Sequence, residues 1–442
     1  MTHGIVRKTC FTTFDGTLSL STTHQRPDRF SHLEFPDTTT HRIPRGGGYS
    51  YSASSFGESS LVQEMTCFNR FLEFNPQQAT LKLEAGVSLI DLMEWALPRK
   101  LYFPVLPGYP LITVGGCVAA DVHGKNPYID GTFADWVNQL TVFHPQKGYQ
   151  SCSREVNPNL FAMTCGGFGL TGIITDITLQ LSELPSPAIA LSRKSVHSLE
   201  EAQFELASSN ADIAYSWHDA TAGANFGAGI VYAGHWTEST QQLKPMRFRP
   251  MTASTRAKLP LSAWNRVSAR IANSAVLLHN RLKNDVSVTG VLDACFPFAS
   301  NVYFHKLFGK TGLRESQFLV SEENVGQCTQ ALKELICETS APTMMLSLKR
   351  FKGTQKSLSM SGTGYLVAID CYRNARTEVF FQRLDQLIVE MGGQINLSKD
   401  SRVPPEIAAL TVSGITDFKN NLFEYDPERI MRSELSARLG LL

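Results

Sequence analysis

Two short segments of this chain carry side chains able to move a proton. HGKN at 123–126 sets a histidine two residues from a lysine, and LSKDSR at 397–402 centres on Lys399. Burial in a dry pocket lowers a lysine's pKa toward working pH, so Lys399 would act as a base or as a donor to a substrate oxygen. The same residues also suit a surface turn of alternating charge, and their types alone leave both readings open. His123 fits general base work near neutral pH, although a lone histidine is more often structural. Lys125 lies in the same motif, and Tyr51 could border the same site. No metal site is expected, because the eleven histidines show no HxH, HExxH or paired Cys/His spacing.

Three glycine-rich loops lie beside these groups. RIPRGGGYSY at 42–51 has three consecutive glycines, whose backbone N–H groups could turn inward on an anion. Alone it reads equally as a tight turn between strands, and its spacing is neither GxGxxG nor GxxxxGK[ST]. PGYPLITVGG at 107–116 opens a run of small residues, Cys117, Ala119 and Ala120, along which a flat ring could lie, and the run leads into HGKN. TCGGFGLTGIIT at 164–175 sets four glycines before a strand. Three such loops within about 130 residues are hard to explain as turns only.

The elements that must position these loops are legible around them. TLKLEAG (80–86) and GIITDITLQ (172–180) alternate apolar and polar residues as half-buried strands do, and VNQLTVF (137–143) is a third β-rich run. Leu89, Leu92, Trp95 and Ala96 predict a helix over 88–101 with Ser88 as N-cap. Pro104, Pro107 and Pro110 then forbid regular structure. The composition shifts near 186–187. Beyond it strands are expected at 211–219, 227–235, 344–351 and 365–372, with helices at 325–339 and 375–391. The last fifty residues, with an amphipathic stretch at 427–442, are expected to return to the first domain.

At 442 residues the chain predicts two domains rather than one core. Its 43% hydrophobic content, with 26 Phe and 12 Tyr, excludes disorder. A net charge of +1 offers no field for nucleic acid, and no such partner is expected. Nine irregularly spaced cysteines without CxxC read as free thiols of a reducing compartment. The first residues lack a signal peptide's apolar region and no run of 18 apolar residues occurs, so the expected location is cytoplasmic, with the inner face of the cell membrane within reach. One tract points to that face. Between Ser239 and Asn284 there is no acidic residue, while Lys244, Arg247, Arg249, Arg256, Lys258, Arg266, Arg270, Arg281 and Lys283 accumulate. Trp264, Val267, Ile271, Ala275, Leu278 and Leu282 repeat at three- and four-residue steps, which predicts a basic amphipathic helix. It would rest on anionic lipid with Trp264 at the interface, or pack on the second domain with solvated arginines.

In order along the chain, RGGGYSY, PGYPLITVGGCVAADVHGKN and CGGFGLTGIIT resemble the FAD-binding domain of the vanillyl-alcohol-oxidase-type (PCMH-type) flavoproteins, and within them the decaprenylphosphoryl-β-D-ribose 2-oxidase branch. The resemblance continues at WHD (217–219), QF (317–318), LKRF (348–351), Asp370 and KDSR (399–402), and so covers nearly the whole chain. It implies an α+β, two-domain fold: an FAD-binding domain over 1–187, an inserted antiparallel-sheet substrate domain over 188–392, and a C-terminal segment, 393–442, completing the first. It implies FAD lined by Arg45, Gly46, Gly47, Gly48, Tyr49, Ser50, Tyr51, Pro107, Gly108, Val114, Gly115, Gly116, His123, Gly167, Thr171, Gly172 and Ile174, with the pyrophosphate on the first loop. Lys399, His123 and Tyr51 would be catalytic. Gln317, Lys349, Lys125, Trp217 and Asn396 would face substrate, with Arg350 replacing Lys349 if the register slips by one.

Departures from the pattern matter as well. Many relatives tether FAD through a histidine where Tyr49 stands, and residues 44–55 contain neither His nor Cys, so non-covalent FAD is expected. Ala368 stands where the branch carries a cysteine, and Asn396 where a tyrosine is familiar, which leaves the substrate open. The implied activity is oxidation of a secondary, C2-type hydroxyl of a polyprenylphosphoryl pentose to a keto sugar, with a ketoreductase as possible partner. A soluble alditol, aldose or sugar lactone is the alternative substrate, and a non-catalytic flavin-binding protein the alternative of another class.

Overall fold

The computed structural model describes residues 5–34, 39–238, 246, 259–281, 286–297, 299, 304–354 and 356–442. Among them, three sheets carry the architecture. A four-stranded sheet has the order Val6–Thr12, Ser19–Gln25, Leu61–Glu64, Arg42–Arg45, its first pairing antiparallel and the other two parallel. Its last strand delivers the RGGG loop directly. The strands Phe71–Asn75, Thr80–Glu84, Ile173–Gln180, Val137–His144 and Gly148–Ser153 form an antiparallel sheet in that order. One face of it, with Leu81, Leu83, Leu140, Val142, Ile177 and Leu179, packs against the helix Leu89–Ala96. That helix starts where Ser88 accepts the Asp91 N–H at 3.2 Å. It stops five residues before the predicted end, because Pro98 enters a 3-10 turn and Lys100 is left-handed (φ 57°), sending the chain into the short strand Leu101–Tyr102.

The third sheet has eight antiparallel strands in the order Val286–Gly290, Ala188–Val196, Gly229–Thr237, Ile213–Asp219, Thr343–Phe351, Gly364–Tyr372, Leu313–Val320, Gln394–Ile395. Period-two alternation splits its central strands. Leu346, Leu348, Val367, Ile369, Phe318 and Val320 share one core with Leu332 and Ile336 of the helix Val325–Thr339 and with Phe380, Phe381, Leu384 and Ile388 of the helix Thr377–Glu390. Each such side chain contributes about 1.5–3 kcal/mol by leaving water. The intervening residues face the other way, toward a cavity. The apolar half of the alternation thus fixes the sheet and frees the polar half for chemistry.

The C-terminal segment touches both regions. Gln394–Ile395 pairs with Leu319 and Phe318 at the edge of the eight-stranded sheet. Farther on, the Arg42 N–H donates to the Ile430 carbonyl at 2.9 Å and the Arg432 N–H to that of Arg42 at 3.0 Å, against the first sheet. Of the amphipathic stretch 427–442 only Glu434–Arg438 is α-helical.

The basic helix spans Arg266–Arg281. Trp264 precedes it and turns inward, its ring 5.9 Å from that of Phe308, instead of standing at an interface. Lys244, Arg247, Arg249, Arg256, Lys258, Leu282 and Lys283 lie outside the described residues. No helix among the described residues is long and apolar enough to cross a membrane, and no His, Cys, Asp or Glu group among them could hold a metal ion.

Candidate active site

The three glycine loops and the polar face of the eight-stranded sheet enclose one cavity of about 420 Å³, within the range of ligand pockets. The loop 45–51 forms part of its wall, and there the glycines are required by contact. A Cβ on Gly46 would lie 2.2 Å from Thr113 Oγ1, one on Gly47 2.7 Å from the Leu111 carbonyl oxygen, and one on Gly115 2.9 Å from that of Ala85. Gly48 holds φ +76°, open to glycine at little cost. Bare backbone therefore borders the cavity where the first two loops meet. Such a wall fits a dinucleotide, whose phosphates need N–H donors without intervening side chains.

The sheet supplies the opposite chemistry, in rows set by register. Glu315 pairs with Asp370 and Asp370 with Met345; in the next row Gln317 pairs with Ala368 and Ala368 with Ser347. All six line the cavity. Gln317 donates to Glu315 Oε1 at 2.5 Å, and Asn396 donates to Gln317 Oε1 at 3.0 Å. Lys399 closes the chain, its Nζ 3.4 Å from Glu315 Oε2 and 4.2 Å from the centre of the Tyr51 ring. The 3-10 turn Leu397–Lys399 presents it, because the Asn396 side chain accepts the Ser398 N–H at 3.1 Å. Burial and the charges of Glu315 and Asp370 push the Tyr51 phenol well above its usual range, so it stays a donor. Burial and then Glu315 likewise push the Asp370 carboxyl well up.

A second cluster gathers around HGKN. The Gly124 carbonyl accepts from Lys349 Nζ at 3.1 Å and stands 3.1 Å from His123 Nδ1. A carbonyl only accepts, so Nδ1 carries the proton and Nε2 keeps its lone pair. Burial and then the charge of Lys349 hold His123 well below the usual histidine range, and it is neutral at pH 7. Burial, then Lys125 and Lys399, lowers Lys349 well below the usual lysine range. Lys125, 5.3 Å from the Tyr215 ring centre, is lowered chiefly by burial to about 8. Lys125 and Lys349 thus crowd a desolvated space to which Lys399 adds a third positive charge, and an anion entering it would relieve that repulsion.

The structure brings most of the sequence-predicted residues to this cavity: Arg45, Gly46, Gly47, Gly48, Tyr49, Ser50, Tyr51, Pro107, Gly108, Gly115, Gly116, His123, Lys125, Gly172, Ile174, Gln317, Lys349, Asn396 and Lys399 line it. Four expected residues are absent from its wall. The Val114 side chain is buried in the core beneath the five-stranded sheet. A Cβ on Gly167 would face the Met163 carbonyl. The Thr171 hydroxyl pairs with that of Thr164 at 2.9 Å. On the strand Ile213–Asp219 it is Tyr215, not Trp217, that reaches the cavity. Arg350 ion-pairs outside with Glu322 at 2.9 Å, so no register slip favours it over Lys349. Glu315 and Tyr215 went unpredicted. Period two would have found Glu315, two residues before Gln317 on one strand face.

Comparison with known proteins points to a flavin cofactor. Residues 36–152 match the model of an FAD binding domain. The chain is 27% identical over 420 residues to a decaprenylphosphoryl-β-D-ribose oxidase of Mycolicibacterium smegmatis, covering 90% of this chain and 89% of that protein. It is 26% identical over 381 residues, 80% of this chain and all of the other, to an uncharacterized protein in the mprA 5′ region of Streptomyces coelicolor. A D-lactate dehydrogenase of Anaerostipes hadrus is 30% identical over 144 residues, 31% of this chain and 30% of that protein.

Proposed function

Starting from an FAD-dependent oxidoreductase that acts on CH–OH groups, we propose that its substrate is a phosphorylated, lipid-linked sugar, a polyprenylphosphoryl pentose, oxidised at a C2-type secondary hydroxyl to the keto sugar. The observation that carries this reading is the crowding of Lys125, Lys349 and Lys399 in the cavity that also holds the glycine loops. A neutral sugar, alditol or lactone gives the crowded amines of Lys125 and Lys349 nothing to neutralise, whereas a phosphodiester does. In this reading 1–187 with 393–442 hold the cofactor and 188–392 present the substrate, and a ketoreductase takes up the product.

When bound, FAD supplies the two-electron acceptor for the hydride leaving the sugar carbon. The chain's own groups handle the rest. Lys399, with donor hydrogens to spare beyond Glu315, holds the reacting oxygen. His123 Nε2, neutral and with its tautomer set by Gly124, takes the hydroxyl proton. Gln317 and Asn396 fix the Glu315 carboxylate that orients Lys399. Lys125 and Lys349 bind the phosphate.

Anaerobic protein mixed with polyprenylphosphoryl ribose, free pentoses, alditols and sugar lactones tests this by flavin bleaching. Bleaching by the lipid-linked sugar alone supports the reading; bleaching by free sugars or lactones replaces it with the soluble-substrate alternative.

Two further results are expected here. FAD is held non-covalently: acid denaturation should release all the flavin and leave protein of unmodified mass. Tyr49 sits against Tyr109 (ring centres 4.6 Å apart) and Phe14 (5.3 Å) where a tether would have to form. Cys117 is buried with its thiol pushed well up, so it offers no thiolate either. The pH dependence follows from two signs. Lys125 loses its proton as pH rises through about 8, so KM for the phosphorylated substrate should climb above that pH, and Lys125→Met should flatten the climb. His123, held low, remains an acceptor below pH 7, so kcat/KM should show no acidic fall near the ordinary histidine value of about 6.5.

A further inference from the structure

The helix Arg266–Arg281 is folded with its apolar side outward. Ala269 and Asn273 make its buried contacts: Asn273 donates to Asp219 Oδ1 at 2.8 Å and to the Met344 carbonyl at 2.7 Å. On the far side Val267 is 66% exposed, Ile271 65% and Leu278 58%, and Leu261 just before the helix is 81% exposed. At 100° per residue the three helical positions fall within roughly 40° of one another and roughly 160° from the buried pair. A soluble surface rarely sets its large apolar residues in such a row without something to meet them.

The helix also borders the active-site cavity. Ala269 packs in one cluster with Tyr51 and Leu313, both of which line the cavity. Along the sequence the ridge belongs to a tract, 239–284, with nine Lys and Arg and no acid; among the described residues its helix contributes the exposed cations Arg266 and Arg270. Arg270 is spent partly on the protein, donating to the Ala222 carbonyl, whereas Arg266 at the first turn is exposed.

We propose that this ridge seats on an anionic lipid bilayer, with Val267, Ile271, Leu278 and Leu261 in the acyl boundary, so that the cavity beside it faces the membrane. The proposal rests on the lipid-linked substrate reading for its purpose, and on exposure, spacing and charge for its evidence. An apolar ridge on a helix that also exposes Arg266 and Arg270, within a tract free of acids, matches an anionic membrane face, on which apolar burial and headgroup attraction act together. A second copy seated on the same helix would set its own Arg266 and Arg270 against these two, like charge against like.

Co-sedimentation of the FAD-bound protein with substrate-free vesicles tests it. The parent should pellet with phosphatidylcholine–phosphatidylglycerol vesicles, less so at high salt, and the double variant Ile271→Glu, Leu278→Glu should bind roughly tenfold less or weaker still while staying yellow. In turnover, that variant should match the parent on detergent-dispersed substrate and lag only on substrate embedded in vesicles. Equal vesicle binding by parent and variant would overturn the proposal, as would a parent that ignores anionic vesicles or a dimer that the two substitutions dissolve. Because the vesicles carry no sugar, a failure here leaves the substrate reading intact. Conversely, vesicle binding without flavin bleaching by the lipid-linked sugar would sink the substrate reading alone.

Discussion

Replacing Lys399 with methionine is expected to slow reduction of the bound FAD by substrate roughly 10²–10³-fold while leaving the protein yellow. Methionine keeps much of the length of the side chain and removes its charge and all three donors. The substrate oxygen then loses the group that holds it, and the Glu315 carboxylate, only 8% exposed, faces the cavity without its cation. A negative charge unopposed at that point also disfavours the phosphate. Lys399 is still a third open to the cavity, so the effect on folding should be small. Rapid mixing under anaerobic conditions separates the two roles: a slow reduction step at saturating substrate marks lost catalysis, and a raised half-saturation marks lost binding. A reduction rate within a few-fold of the parent's would remove Lys399 from the chemistry.

Gly46→Val is expected to yield a folded protein that takes up little or no FAD. Its Cβ would lie 2.2 Å from Thr113 Oγ1, so one of the two loops must move. Thr113 is not free to turn away, because that oxygen caps the helix Val114–Ala120 by accepting the Gly116 N–H at 3.2 Å. Overpacking of this kind costs about 3 kcal/mol, near two powers of ten in affinity, if the loop separates rather than the core. Visible absorbance after reconstitution reads the loss, and an unchanged far-ultraviolet spectrum shows that the fold survives. Stoichiometric flavin in the variant would mean that the loop does not border the cofactor.

Much of this site is legible in the sequence because its parts are local. The RGGG and VGG loops announce themselves by composition, and HGKN and KDSR each hold their functional lysine inside a short motif. Long periodic elements are equally plain: the helix predicted at 325–339 is the helix Val325–Thr339. What escapes is whatever depends on register between distant strands. Glu315 is one of 40 acidic residues, and nothing nearby marks it until Asp370 lies opposite and Lys399, eighty-four residues on, comes to 3.4 Å. Trp217 and Tyr215 share a strand, and only the packed sheet decides that Tyr215 reaches the cavity. The helix Arg266–Arg281 shows a different limit. Its periodicity is readable, but which face turns inward is not, and the assumption that Trp264 belongs to the exposed stripe fails because the ring packs on Phe308. The amphipathic stretch at 427–442 does not specify its own conformation: the hydrogen bonds of 430–432 to Arg42 hold that part of the chain extended against the first sheet, and only Glu434–Arg438 is helical.

The most direct test of the account is anaerobic flavin bleaching by polyprenylphosphoryl ribose prepared with hydrogen or with deuterium at C2. Bleaching by this compound and not by free ribose, slowed by the deuterium, is the predicted result, with a 2-keto sugar recovered. Bleaching that ignores the label at C2, or that free lactones and alditols produce equally well, would contradict it.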